Sequence, residues 1–153
     1  MERKVKEGRY ERLYEQCAEQ LVKTGYCISQ MATVAAILHN KMEYFFWTGF
    51  YIINNGELLV GPYQGALACQ KLAKDTGVCW AAINQRKTIV VPNVHEFPGH
   101  IACDSRSRSE IVVPLFSPGG NVVAVLDVDS KDLASFDEVD ALWLEKIAGL
   151  VKM

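Results

Sequence analysis

The sequence predicts an α+β protein in which helices pack on an antiparallel sheet. Apolar residues recur at helical spacing near both ends of the chain, and between these regions the apolar pattern changes to a period of two. The order of elements is two helices, two strands, an irregular middle, two strands and a helix. This order lacks the repeated strand–helix–strand units that build parallel sheets. With 153 residues, the chain suits one domain, residues 1–153, with one sizeable core.

Two helices are predicted in the first 40 residues. The first stops at Gly25, and the second runs from about Ser29 to Asn40. Cys17 lies on the apolar stripe of the first helix, so we interpret it as a core thiol. The stripe consists of Tyr10, Leu13, Tyr14, Cys17 and Leu21.

Five strands are predicted from apolar runs that are bounded by turn residues. The first two are joined by Asn54-Asn55-Gly56, which is a hairpin signal. The last two are joined by the turn Pro118-Gly119-Gly120. The predicted strands are residues 44–53, 57–62, 88–91, 110–116 and 122–129.

Two further helices complete the predicted fold. Asp75 or Thr76 is expected to cap a short helix that ends at Ile83. The final helix is predicted to begin with a capping box from Ser135 to Glu138. Its inward face is expected to contain Val139, Leu142, Trp143, Ile147, Leu150 and Val151.

Charge and hydrophobic patterning argue against several functions. The net charge of −2 gives no electrostatic reason to bind nucleic acid or an anionic membrane. No apolar run approaches the ~20 residues needed to span a bilayer. The N-terminal segment MERKVKEGRYER is charged and does not resemble a secretory signal. We therefore expect a cytoplasmic protein without nucleic-acid or membrane partners.

Three of the five cysteines lie outside the regular apolar stripes, and they are candidates for redox chemistry. An odd number of cysteines in a cytosolic chain argues against a structural disulfide framework. Cys103 precedes Arg106 and Arg108, and cationic neighbours favour a thiolate. Cys79 is expected in the first turn of a helix, where the dipole also favours a thiolate. Cys69 ends the segment GPYQGALAC.

An aromatic pair is predicted on one face of the first strand. Trp47, Gly49 and Tyr51 share that face because strand side chains alternate. Two large rings that flank a residue without a side chain predict a slot for a flat or slender apolar group. The same pattern is typical of an aromatic pair packed under a helix, and this strand taken alone favours the packed pair over the slot.

Three carboxylates are predicted to meet at one end of the sheet. Asp127 and Asp129 share a strand face, about 7 Å apart along the strand. Glu110 begins the preceding strand, and a hairpin would bring it to the same end. Such a cluster would bind an ammonium group or keep one proton for general acid catalysis.

The residues alone leave other chemistry open. A cysteine hydrolase would pair Cys103 with His95 or His100. His95, His100 and Cys103 would also be candidates for a metal site. Zinc sites commonly contain a C-x2-C pair, however, and Cys69, Cys79 and Cys103 are separated by 10 and 24 positions. We therefore predict no metal. The absence of a glycine-rich phosphate loop in the sequence predicts no nucleotide cofactor.

Several segments, together with the spacing of the three cysteines, resemble one enzyme family. The segments are WTGFY (47–51), GPYQG–AC (61–69), GVC (77–79), VPNVHEFPGHIACDSRSRSEIVVPL (91–115) and VLDVDS (125–130). They are similar to the free methionine-(R)-sulfoxide reductases, which are single GAF domains. The resemblance implies a six-stranded antiparallel sheet flanked by helices, often in a homodimer. It also implies reduction of free methionine-(R)-sulfoxide to methionine, with a thioredoxin-type reductant and no bound cofactor.

The resemblance implies a role for each thiol and aromatic residue of the site. Cys103 matches the catalytic cysteine, which attacks the sulfoxide sulfur and becomes a sulfenic acid. Cys69 matches the partner that condenses with it to a disulfide, and Cys79 matches a third cysteine with an auxiliary resolving role. Trp47 and Tyr51 match the aromatic residues around the substrate methyl and thioether groups.

The resemblance also implies a role for the acids. Glu110, Asp127 and Asp129 match the carboxylates that hold the substrate amino group and help to protonate the sulfoxide oxygen. A peptide-bound residue has an amide nitrogen in place of the ammonium group, so it would leave these acids unpaired at a cost in free energy. The alternative function is a non-catalytic GAF module that binds a small molecule as a sensor, but a sensor does not need three thiols.

Overall fold

The computed structural model describes residues 1–100 and 103–153. Its α-helices are α1 (Arg3–Leu21), α2 (Cys27–Lys41), α3 (Gly77–Gln85) and α4 (Glu138–Ala148), and a 3₁₀ helix covers Val94–Glu96. Its strands are β1 (Trp47–Asn54), β2 (Glu57–Gln64), β3 (Lys71–Leu72), β4 (Ile89–Val91), β5 (Ser109–Phe116) and β6 (Val122–Ser130). None of the helices in the described residues combines the length and the apolar character needed to cross a membrane.

The six strands form one antiparallel sheet in the order β3-β2-β1-β6-β5-β4. The α+β class and the six-stranded antiparallel sheet flanked by helices are therefore confirmed. Strand β3 contains two residues, which is too short to show a period of two. Alternation in the sequence consequently predicts five strands and misses the sixth.

The first hairpin has the predicted turn. Asn55 and Gly56 both have positive φ angles, 52° and 78°. This combination belongs to the two-residue turns that match the twist of antiparallel strands, and the Asn-Gly pair adopts it at low cost.

The sheet buries both of its faces, and the two faces have different partners. Helices α1, α2 and α4 cover one face, where Phe50 of β1, Ile111 of β5 and Leu126 of β6 join the larger apolar cluster. Helix α3 and the following segments cover the other face, where Tyr51 and Val125 belong to a second, smaller cluster. Side chains that alternate along each central strand therefore enter two separate cores.

The start of the last helix differs from the prediction. Asp137 is the N-cap of α4 and forms the capping box with Asp140, so the predicted box from Ser135 to Glu138 is wrong. The Ser135 hydroxyl donates instead to Oγ of Ser130, at 2.7 Å, and helps to close the loop after β6.

The predicted inward face of α4 is also wrong at one residue. Leu142 is 51% exposed, and the buried leucine of the helix is Leu144. The buried stripe of the helix includes Asp140, Leu144, Ile147 and Ala148, which are spaced by three or four residues, and Leu142 lies outside it.

Asp140 is the fully buried acid that joins both ends of the chain. It accepts hydrogen bonds from the hydroxyl groups of Tyr10 and Tyr44, each at 2.6 Å, and it forms an ion pair with the buried Lys6. The backbone N–H of Asp137 donates to the same carboxylate at 2.8 Å. Four donors therefore compensate the burial of this charge.

Replacement of Asp140 should strongly destabilise the fold. Asp140→Ala leaves the buried Lys6 ammonium with only the partly exposed Asp137 carboxylate, and the hydroxyl groups of Tyr10 and Tyr44 lose their acceptor. We therefore expect a loss of about 3–5 kcal/mol in the free energy of unfolding. Urea denaturation measures it. Glu138→Ala on the first turn of the same helix is the control, because that exposed side chain pairs only with exposed Arg3 and should have a far smaller effect. Equal losses in the free energy of unfolding for the two variants would contradict the stabilising role of Asp140.

Candidate active site

The register of the three central strands assembles the candidate site. On the face covered by α3, Trp47 of β1 lies opposite Asp129 of β6, which lies opposite Glu110 of β5. One row along the strands, Gly49 lies opposite Asp127. These antiparallel pairs place residues from distant parts of the sequence side by side, because directly opposed side chains in a sheet are about 4.5–5.5 Å apart.

These rows form one wall of a cavity of about 230 Å³. The other walls come from residues 67–69 and 71–73, from the start of α3, and from His100, Cys103, Asp104 and Ser107. All eight site residues that we predicted from the sequence line this cavity: Trp47, Tyr51, Cys69, Cys79, Cys103, Glu110, Asp127 and Asp129.

Cys69 and Cys103 form a disulfide at the mouth of the cavity. Their Cα atoms are 5.6 Å apart, which lies in the usual range for a disulfide. Cys103 is exposed and Cys69 is partly buried, so solvent reaches the bond from outside. Cys79 is a free thiol and is buried on the inner side of the cavity.

The aromatic wall differs from the predicted open slot. The Trp47 ring covers Gly49, and a Cβ built on Gly49 would approach the ring to 2.6 Å and Tyr63 Cβ to 2.3 Å. The prediction that this glycine leaves a slot between Trp47 and Tyr51 is therefore wrong, because Trp47 fills the space. The rings of Trp47 and Tyr51 are stacked with centroids 5.9 Å apart, and Tyr63 stacks on the outer side of Trp47.

Polar ends of the same two rings are bonded to the loop that contains Cys69. Trp47 Nε1 donates to the Ala66 carbonyl at 3.1 Å, and the Tyr51 hydroxyl donates to the Cys69 carbonyl at 3.2 Å. Each ring therefore lines the cavity with its apolar part and anchors the backbone of the loop that contains Cys69 through its polar atom.

The three acids are enclosed together. Glu110 and Asp127 are buried, and Asp129 is partly exposed. Burial, followed by the negative charges of the other two acids, raises the pKa of Glu110 well above its usual value. Burial and the charge of Asp127 have the same effect on the pKa of Asp129, and burial raises the pKa of Asp127. The cluster therefore retains protons in a pH range where isolated carboxyl groups are ionised.

Cys79 does not have the lowered pKa that its position in a helix predicts. The residue is in the first turn of α3 as expected. Burial raises the pKa of its thiol well above the usual value, and the nearby charges of Asp127, Glu110 and Asp129 act in the same direction. Desolvation and like charge outweigh the helix dipole at this site.

Arg106, which we expected to favour a thiolate at Cys103, pairs with an acid instead. Arg106 forms a hydrogen-bonded ion pair with Asp104 at 2.6 Å, and its guanidinium group stacks over Phe46. Asp104 lines the cavity, and its hydrogen bonds with Arg106 lower its pKa to about 2. The acid next to the catalytic candidate is therefore held as a charged pair.

The two histidines considered from the sequence are in different environments. His95 is exposed on the 3₁₀ helix and does not line the cavity. His100 lines it, with Nδ1 3.9 Å from Oε1 of Glu110, and burial lowers its pKa. Ser107 and Tyr63 were not predicted as site residues. Tyr63 lies just beyond the predicted strand 57–62, and an irregularity in the β1–β2 pairing between Gly49 and Tyr51 brings it opposite Gly49.

The comparisons with known proteins agree with the fold. A family model described as GAF domain matches residues 10–153. GAF domain-containing protein A of Dictyostelium discoideum is 46% identical over 95% of this chain and 92% of its own length. The free methionine-R-sulfoxide reductase of Saccharomyces cerevisiae is 45% identical over 69% of this chain and 60% of its own length.

A solved structure of similar sequence supports the same assignment. The free methionine-R-sulfoxide reductase of Neisseria meningitidis, determined in complex with its substrate, has a TM-score of 0.89 and 41% identity, and the match covers 94% of this chain and 86% of that one. The fold and the site thus define a GAF domain with a thiol-lined cavity. Within the GAF domains, the chain belongs to the free methionine-R-sulfoxide reductase family.

The acid cluster predicts a specific dependence of stability on pH. The folded pKa of Glu110 is raised, so between its unfolded value of about 4.3 and the folded value the folded state binds more protons than the unfolded state. The contribution of Glu110 to stability is fully present below that range and is lost as pH rises through it, by at most about 1.4 kcal/mol per pH unit for one group. Glu110→Gln should flatten this fall in urea denaturation measured between pH 4 and pH 8.

A matched control separates this effect from general charge effects. Glu138→Gln removes an exposed carboxylate that pairs with Arg3, and hydrogen bonds with the backbone and Arg3 lower the pKa of Glu138. In this variant, the free energy of unfolding should fall above pH 5 as it does in the unmodified chain. If the free energy of unfolding falls in parallel with pH for the Glu110 variant and for the unmodified chain, the raised pKa of buried Glu110 is contradicted.

Proposed function

We propose that the chain reduces free L-methionine-(R)-sulfoxide to L-methionine by thiol chemistry at Cys103. One observation carries the proposal: a disulfide between Cys69 and Cys103 borders a small cavity that also contains three carboxylates. The names of the relatives, together with membership of their family, supply the substrate. The disulfide corresponds to the oxidised enzyme at the end of one reaction.

In the first step the Cys103 thiolate attacks the sulfoxide sulfur. The sulfur–oxygen bond of the substrate breaks, and its oxygen is transferred to Cys103 with a proton. Methionine leaves, and Cys103 becomes a sulfenic acid. The substrate sulfur is reduced by two electrons and the cysteine sulfur is oxidised by two.

In the second step Cys69 resolves the sulfenic acid. Its thiol attacks the Cys103 sulfur, a sulfur–sulfur bond forms, and water leaves. Trapping as a disulfide prevents further oxidation of Cys103. A dithiol of the thioredoxin type then reduces the disulfide by exchange, and the exposed position of Cys103 gives such a reductant access. Cys79 has the auxiliary resolving role, because it is the remaining free thiol that lines the cavity in the described residues.

The acids select the substrate and provide the proton. A cluster that holds at least one negative charge attracts the substrate ammonium group, and the retained proton is available for the sulfoxide oxygen. Glu110 and Asp129 are directly opposed in the sheet, and Asp127 is one row away, so the groups act as one unit. Trp47 and Tyr51 provide the apolar surface for the methyl and thioether groups.

Single substitutions of Cys103 and Cys69 should block the first and the second step of the reaction, respectively. Cys103→Ser should abolish turnover with dithiothreitol. Cys69→Ser should form about one equivalent of methionine per chain in a single turnover and then slow sharply, because the sulfenic acid has lost its resolving partner. Methionine release is measured by chromatography after rapid mixing.

Thiol counting provides the control for this experiment. Cys17→Ser removes a buried thiol from α1, outside the cavity, and should preserve turnover. The reduced unmodified chain should lose two thiols for each methionine formed. Constant thiol content during exposure to the sulfoxide would contradict the reductase proposal and favour the sensor alternative.

Neutral replacements of the acids should impair recognition of the free amino acid. We expect Glu110→Gln and Asp129→Asn each to lower kcat/KM for the free sulfoxide by about 10- to 100-fold, which corresponds to loss of a charged hydrogen-bond partner. Asp132→Asn is the matched control, because that acid lies in the loop after β6 and does not line the cavity. Unchanged kinetics in both site variants would remove the acids from substrate recognition.

A further inference from the structure

Cys79, Glu110 and Asp127 form a compact group of metal-ligating atoms inside the cavity. One ligand atom from each residue, the sulfur of Cys79 and a carboxylate oxygen of each acid, lies within 4.8 Å of the other two. All three residues are buried and line the cavity. The three side chains come from α3, β5 and β6, so the packing of the sheet and the helix holds them together.

The group also contains an unpartnered polar atom. Asp127 is 6% exposed, and its Oδ1 atom has no hydrogen-bond partner. In residues 1–100 and 103–153, no lysine or arginine forms an ion pair with Glu110 or Asp127. The same carboxylate is hydrogen-bonded to the side chains of Glu110 and Cys79, so its partners are the other two members of the group. A buried carboxylate oxygen without a partner is unfavourable, and a bound cation would satisfy it.

We propose that Cys79, Glu110 and Asp127 bind a divalent cation of the zinc type. The three ligand atoms are at most 4.8 Å apart, so an ion at the centre of their triangle would be about 2.8 Å or less from each atom. Zinc bonds are shorter, about 2.3 Å to sulfur and 2.0–2.2 Å to oxygen. Small side-chain movements therefore complete the site.

The donor set defines the class of the ion. A thiolate and carboxylates together suit zinc, cobalt and cadmium, whereas magnesium and calcium prefer oxygen ligands alone. His100 lines the same cavity, with Nδ1 3.9 Å from Oε1 of Glu110, and adds a nitrogen donor beside the carboxylate. Binding of the ion releases the thiol proton to solvent.

The site is available in the disulfide form of the chain. Cys79 is free while Cys69 and Cys103 are bonded to each other. A bound ion would occupy two of the carboxylates to which we assign the substrate ammonium group. Zinc would therefore exclude the substrate from the cavity, a consequence that rests on the proposed function, whereas the site itself rests on the geometry alone.

Cobalt(II) is the probe that tests the site. The oxidised full-length chain, without any added reductant, is titrated with Co²⁺ under nitrogen. We expect one Co²⁺ per chain and a near-ultraviolet sulfur-to-cobalt charge-transfer absorption, which Zn²⁺ then displaces. Because no turnover is involved, failure of this test is distinguishable from failure of the reductase proposal.

Variants assign the ligands. Cys79→Ser should abolish the charge-transfer band, whereas Cys27→Ser, which removes a partly buried thiol outside the cavity, should keep it. Glu110→Gln keeps the thiol and should weaken Co²⁺ binding by about tenfold or more. Circular dichroism and an intact Cys69–Cys103 disulfide verify that each variant is folded. The absence of the band in the unmodified chain, its persistence in Cys79→Ser, or unchanged affinity in Glu110→Gln would overturn the proposal.

Discussion

Three carboxylates share one small cavity without a matching positive charge. In the part of the chain that the structure describes, no lysine or arginine forms an ion pair with Glu110, Asp127 or Asp129, and the Lys71 ammonium group at the cavity pairs with Glu57 instead. Such a cluster is unfavourable in the empty protein, because burial and mutual repulsion both oppose ionisation. It becomes favourable when a cation enters, so the same constraint that reduces stability creates a binding site for an ammonium group or a metal ion.

The sheet makes this arrangement possible. The face covered by α1, α2 and α4 contains most of the large buried side chains, including Phe50, Ile111 and Leu126. Asp140 joins α1, α4 and the segment before β1 through four donors. Stability is therefore concentrated on one side of the sheet. The opposite face of the same strands can then hold polar and titratable groups, since the backbone that carries them is fixed by the core behind it.

Much of the site was predictable from alternation along single strands. The period of two places Trp47 and Tyr51 on one face of β1, and Asp127 and Asp129 on one face of β6. The register between those strands brings the two pairs together. The hairpin between β5 and β6 brings Glu110 to the same end of the sheet as the two aspartates, as expected, and the register places it directly opposite Asp129.

Features that depend on irregular pairing or on desolvation were not predictable in this way. An unshifted continuation from the Asn55-Gly56 turn would place Pro62 opposite Gly49, but the register shift in the β1–β2 pair brings Tyr63 there. The Trp47 ring then lies over Gly49 and closes the expected slot. Likewise, the position of Cys79 at a helix start indicates a lowered pKa, whereas its neighbours in space raise it.

In the function we propose, buried acids connect recognition of a free amino group to thiol chemistry at Cys103. The most direct test compares three substrates in an assay that couples turnover to NADPH consumption through thioredoxin and its reductase: free methionine-(R)-sulfoxide, the free (S)-epimer and the N-acetylated (R)-sulfoxide. Our account predicts turnover of the first compound alone, because only this compound presents an ammonium group and the correct sulfur configuration together. Comparable turnover of the N-acetylated compound would contradict the role of the acids, and no turnover of any compound, with dithiothreitol as well, would contradict the thiol mechanism.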